Sequence, residues 1–209
     1  MDRKSAALAR RRTRAEEGFR FVGETLGPVS LGMSVFAITR GQFSMIDVVQ
    51  YLVRSIEDAD ISVWTWTIAD YEIEAVGGLT ANGRIRSARL IVDYSASQRN
   101  RVLLAEWRER FGAESVRVCR THAKIARVWN DSWRFLARGS MNLNWNPRFE
   151  QVDVTEGGAD FDLVERIEAE MPIVGAEPSA AEAARASRLG RAFEAGTLEM
   201  FAGMPPWKP

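Results

Sequence analysis

Two hydrophobic periods alternate along the chain, and each marks a kind of element. Apolar and β-branched residues alternate or run together over Leu31–Thr39, Ile61–Ile68 and Ala88–Val92, which predicts strands, the last two buried. Between them the spacing turns helical. Ile46, Val49, Leu52, Val53 and Ile56 predict a helix from an N-cap at Ser44 to about Glu57. A second helix is expected over Tyr71–Leu79, ended by Ala81-Asn82-Gly83, and a third over Ser97–Phe111, closed by Gly112. The pattern then changes to short strands at Ser115–Cys119, His122–Trp129, Trp133–Arg138 and Phe149–Thr155. Asn130-Asp131-Ser132 forms a hairpin turn between the middle two, and a helix follows over Phe161–Met171.

This order predicts an α/β domain, a mixed sheet flanked by helices, over residues 30–174. Residues 1–29 are expected to be a basic N-terminal arm or helix, in which residues 3–17 read as a basic helix or a flexible arm ending near Gly18. Residues 175–209 read as a C-terminal helical extension: a linker, an alanine-rich helix over Ala180–Phe201 and a Pro/Trp tail.

At 46% hydrophobic residues, with seven Trp and ten Phe, the 209-residue chain can bury a core, which excludes wholesale disorder. No apolar run approaches the roughly 20 residues of a membrane span, and the start, Met1-Asp2-Arg3-Lys4-Ser5, has no secretory pattern, so the expected setting is cytoplasmic, away from membranes. The single cysteine, Cys119, excludes an internal disulfide and a cysteine-based zinc site. Net charge is zero but unevenly spread: residues 84–148 hold fourteen basic and five acidic side chains, and residues 149–209 five and twelve. The basic stretch reads either as a solvated surface or as a footprint for a polyanion.

That basic stretch also holds the candidate chemistry. His122 is the only histidine, and Lys124 is the only lysine between Lys4 and Lys208. Strand alternation puts His122, Lys124 and Ala126 on one face, with Ala123, Ile125 and Arg127 on the other. Gly139-Ser140-Met141-Asn142 follows the next predicted strand, and Glu150 comes eight residues after Asn142. A nucleophile, a phosphate-binding cation, hydrogen-bonding side chains and a carboxylate make up a phosphodiester-cleaving set.

Thr121-His122-Ala123-Lys124-Ile125-Ala126, Arg138-Gly139-Ser140-Met141-Asn142-Leu143-Asn144 and Phe149-Glu150-Gln151 resemble the signature of the phospholipase D superfamily: His-x-Lys, an Asp, Gly-Ser-x-Asn, then Glu or Gln. The resemblance covers roughly residues 30–171 and implies a phospholipase D-like sheet with a C-terminal extension. It implies a metal-independent phosphodiesterase, without cofactor, acting on nucleic acid, DNA first. His122 would attack phosphorus, Lys124, Ser140 and Asn142 would hold phosphate oxygens, and Glu150 would orient the imidazole. Arg127, Arg138, Asn144 and Arg148 are the expected substrate contacts. Trp129, Trp133 and Trp145, beside the motif strands, could stack on bases or pack. The family uses two histidines and this chain has one, so the resemblance implies a homodimer through the active-site face.

Short single-motif members, among them bacterial endonucleases and phage proteins, are of this size. The family Asp, seven residues after the histidine, is replaced by Trp129; its parity points it away from the site, and Asp131, of the same parity, is a substitute to consider. A catalytically weak scaffold that binds nucleic acid or serves a phage assembly is the alternative reading.

Overall fold

A computed structural model describes residues 14–18, 21–144 and 147–171. The expected linker, alanine-rich helix, tail, Trp145 and most of the N-terminal arm lie outside these residues.

Eight strands form one sheet: β1 (Arg14–Glu17), β2 (Ser34–Thr39), β3 (Ala59–Thr65), β4 (Ile85–Asp93), β5 (Val116–Cys119), β6 (Lys124–Trp129), β7 (Arg134–Gly139) and β8 (Glu150–Glu156). Their spatial order is β1-β2-β8-β7-β6-β3-β4-β5. β1 is parallel to β2, and β3, β4 and β5 are mutually parallel. The pairs β2–β8, β8–β7, β7–β6 and β6–β3 are antiparallel. Six strands therefore run one way, and β6 and β8 run against them. The ends of β2, β3, β4 and β7 consequently meet the starts of β6 and β8 along one edge of the sheet.

The helices are α1 (Val22–Leu26), α2 (Met45–Ser55), α3 (Asp70–Ala81), α4 (Tyr94–Arg99), α5 (Arg101–Phe111) and α6 (Ala159–Glu170). On one face the main core joins Ile46, Val49, Leu52 and Val53 of α2, Ile73 and Val76 of α3 and Leu104 and Trp107 of α5 to Val35, Ile61, Val63, Leu90, Ala126, Phe135 and Val154 of the sheet. α2 starts where its sequence predicts: the Ser44 backbone N–H and hydroxyl both donate to Asp47 Oδ2, each at 2.8 Å. That carboxylate in the first turn also suits the helix dipole. On the other face α6 packs a smaller cluster of Trp64, Ile91, Leu136, Phe161 and Val164.

Two expectations need correction. Residues 14–17 are not arm or helix but a strand in register with Val35–Ile38, and Arg14 donates to the carbonyls of Thr25 and Leu26. The helix expected over Ser97–Phe111 starts at Tyr94 and breaks at Asn100, whose carbonyl accepts the Leu104 N–H that begins α5.

Candidate active site

Lys124 begins β6, and His122 stands two residues before it, outside the strand. The chain reaches β6 through a turn in which Thr121 N–H donates to Asp93 Oδ2 (3.0 Å) and Ala123 N–H to Thr121 Oγ1 (3.1 Å). Asp93 also accepts from Ser95 N–H (2.8 Å), so the end of β4 fixes the segment that carries the histidine. The result is convergence: Lys124 Nζ lies 3.0 Å from His122 Nδ1 and 3.1 Å from Nε2, and donates to the His122 carbonyl at 2.7 Å. The two ring-nitrogen lone pairs diverge in the ring plane, so an Nζ nearly equidistant from both nitrogens lies off that plane, against the ring, rather than on one lone pair. Lys124 is 6% exposed, whereas His122 is exposed. Burial lowers the Lys124 pKa below the ordinary lysine value, and the charge of Glu150 opposes the shift.

β7 ends beside Lys124, with Gly139 as its register partner. A Cβ on Gly139 would stand 2.0 Å from the Gln151 carbonyl oxygen, a backbone atom that cannot rotate away, so only glycine fits this approach of β7 to β8. From there Ser140 N–H donates to Gln151 O (3.1 Å), Gln151 N–H donates to Ser140 Oγ (3.0 Å), and the Ser140 hydroxyl donates to Glu150 Oε2. Met141 and Leu143 are buried in the main core, and Leu143 O accepts Ile46 N–H at the start of α2 (3.2 Å). The intervening polar residues are thereby pinned. Asn142 Oδ1, Asn144 Oδ1 and Gln151 Oε1 are buried and find no hydrogen-bond partner among the described residues. Each is an acceptor and costs roughly 1–3 kcal/mol until a donor reaches it; a phosphodiester oxygen is not a donor.

The five expected catalytic residues thus lie along one sheet edge, with Ser140 joined to Glu150 and His122 to Lys124. The Glu150 carboxylate accepts the Ser140 hydroxyl, and Lys124 lies against the His122 ring.

The expected substrate contacts divide. Asn144 lies in the pinned segment, and Arg148 is exposed just before β8. Arg127 is a correction. It is 1% exposed under α6, bonded to Glu168 (2.7 Å) and Glu165 (2.6 Å), with its guanidinium 4.4 Å from the Trp129 ring centroid and 4.3 Å from that of Phe161. No substrate reaches it there. Arg138 faces the same way and binds Asp160 at 2.7 Å.

Trp129 packs edge-on against Phe161 on the α6 face, opposite to Lys124. Asp131 does not take over the family Asp: it is exposed in the β6–β7 turn, 4.0 Å from Arg86. Trp133 stacks on Phe135. The tryptophan at the site is one the sequence reading placed inside a strand. Trp66, just past β3, has its ring centroid 5.6 Å from that of His122, and the Arg99 guanidinium is 5.5 Å from the Trp66 centroid.

Among the described residues no helix is long and apolar enough to cross a membrane. No family model matches the chain, and no curated protein does. Solved structures similar in part include a polyphosphate kinase from Porphyromonas gingivalis, at 13% identity and a TM-score of 0.46 over 65% of this chain and 25% of that one. Another is TrmBL2, an archaeal chromatin protein described as showing a novel mode of DNA binding, at 9% identity and a TM-score of 0.44 over 66% of this chain and 54% of that one. The chain therefore spans about a quarter and about half of their respective lengths.

Proposed function

We propose that this chain is a phosphodiesterase of the phospholipase D type that cleaves nucleic acid, DNA foremost, through a phosphohistidine. The observation that carries the reading is the contact of Lys124 with His122, the one histidine, beside the Gly139-Ser140-Met141-Asn142 turn.

A bound phosphate takes Lys124 Nζ on a non-bridging oxygen, beside an imidazole nitrogen whose lone pair faces phosphorus. That nitrogen attacks phosphorus; the P–N bond forms as the bond to the leaving oxygen breaks, and the leaving oxygen takes a proton from a general acid. Water then attacks the phosphohistidine, its proton passes to the same group as base, and the P–N bond breaks to free His122. Asn142 and Lys124 stabilise the charge on the equatorial oxygens, and Ser140 contributes once its hydroxyl turns from Glu150. With one histidine per chain, the acid is the partner's His122 in a homodimer joined at the active-site face. Proteins of this kind occur in phages, a setting in which cleaving DNA is useful.

The test is cleavage of DNA and of a generic phosphodiester in excess EDTA, comparing the parent with His122→Ala. A loss of at least about 10²–10⁴-fold is expected. Equal rates would remove the enzyme reading and leave a nucleic-acid-binding scaffold. A dilution series carries a second test, since activity persisting in a demonstrated monomer contradicts the shared histidine.

A further inference from the structure

Trp66 has no part in the chemistry above, yet it stands at its centre. β3 ends at Thr65, whose hydroxyl donates to Thr67 O (2.6 Å) and accepts Thr67 N–H (3.3 Å), and this local loop lifts the next side chain out of the sheet. Trp64, one residue earlier, is buried with its Nε1–H on Glu168, whereas Trp66 stays 38% exposed. The ring has an imidazole 5.6 Å away, tilted 58° to it, and a guanidinium 5.5 Å away, both on exposed residues. An indole left partly in water forfeits burial energy that a ligand can recover.

We infer that Trp66 is a stacking platform for an unpaired base next to the phosphate held at His122 and Lys124, with Arg99 contributing charge at the same spot, so that the substrate is single-stranded nucleic acid. This inference rests on the phosphodiesterase reading of the edge and names its substrate. The chemistry is specific to that class. A nucleotide offers a π face and an anion together, and the indole, guanidinium, imidazole and ammonium here answer both. A base inside a duplex has both faces covered by its neighbours and cannot stack on Trp66 without leaving the helix.

The experiment measures binding rather than cleavage, so its failure is distinct from failure of the catalytic reading. Fluorescence anisotropy of the full chain compares three phosphorothioate probes of equal length: oligothymidylate, the abasic deoxyribose-phosphate strand, and a blunt duplex. The parent is expected to prefer the base-bearing strand to the abasic one by roughly 5- to 150-fold, the range for one stacked base. Trp66→Ala should erase that preference while keeping the backbone affinity, and Trp66→Phe should retain most of it. Arg99→Gln should weaken both single strands. No preference in the parent, a preference surviving in Trp66→Ala, or tighter binding of the duplex would each overturn the inference. A preference with no cleavage in any form would leave the platform standing and remove the chemistry.

Discussion

Glu168 ties α6 to the sheet, and its removal should unfold much of what surrounds it. Its carboxylate, 0% exposed, accepts from Ser62 Oγ (2.7 Å), Trp64 Nε1 (2.7 Å), Arg127 (2.7 Å) and Arg89 (3.3 Å). Glu168→Ala strands the buried Arg127 and leaves the Ser62 and Trp64 donors without an acceptor. Breaking one side of a buried pair costs about 3–5 kcal/mol, and each orphaned donor about 1–3. These terms overlap, and Glu165, half exposed, still holds the Arg127 fork. A net loss of about 5 kcal/mol is expected, against a typical total of roughly 5–15. Glu168→Gln keeps an acceptor for Ser62 and Trp64 and loses the charge, so it should cost about half as much. Combining it with Arg127→Met removes the stranded cation, and the double variant should cost less than the sum of the singles by at least about 1 kcal/mol. Urea unfolding followed by tryptophan fluorescence reads the parent and the four variants. Glu168→Ala within about 1 kcal/mol of the parent, or strict additivity in the cycle, would refute the argument.

Two further outcomes follow from local geometry. Gly139→Ala drives a methyl into the Gln151 carbonyl, so it should destabilise by at least about 2 kcal/mol in the same urea assay and reduce cleavage by displacing Ser140; a neutral effect would show that the β7–β8 approach is looser than described. Burial, and secondarily the charge of Asp93, push the Cys119 thiol up to about 11. At pH 8 its thiolate fraction falls roughly 100-fold, while each thiolate gains roughly tenfold in nucleophilicity, so disulfide-reagent labelling should run about tenfold slower than for a free thiol. The folded state holds this proton longer than the unfolded one, so the Cys119 contribution to stability is flat below about pH 9 and is lost between about 9 and 11. Labelling as fast as in urea would contradict the burial.

What the sequence disclosed, and what it hid, divides by range of interaction. The capped start of α2 and the turn at Asn130 are written in neighbouring residues. The Asn130 side-chain oxygen, for example, accepts both Ser132 and Trp133 N–H at 2.9 Å. His122 and Lys124 stood out because each is compositionally isolated, and a spacing of two brought them to one place even though His122 precedes the strand. The fate of Arg127 depended on α6, about 40 residues away, and no local pattern tells a substrate-facing arginine from one beneath Glu165 and Glu168. Strand parity had already set it opposite Lys124, which was the usable signal. Trp66 was hidden by its own run: Trp64-Thr65-Trp66 continues the apolar pattern, and only the Thr65–Thr67 hydrogen bonds end the strand between the two indoles.

That division of faces bears on the tryptophan at position 129. Along β6 the odd residues face α6, where Arg127, Trp129, Phe161 and Glu168 form one packed, charge-neutralised cluster, while Ala126 and Val128 enter the main core. A carboxylate at 129 would sit in that cluster, far along the strand from the edge where Lys124 meets His122. Arg127 already has two carboxylate partners, so a third acid would add charge and take away the ring against which Phe161 packs. Trp129 therefore changes how α6 is held, not what stands at the edge. The residues proposed to act on phosphate, from His122 to Glu150, are positioned by Asp93, Gly139 and the buried Met141 and Leu143, none of which touches Trp129 in the contacts described. A tryptophan at 129 thus bears on stability on the α6 face, at the other end of β6 from Lys124 and His122.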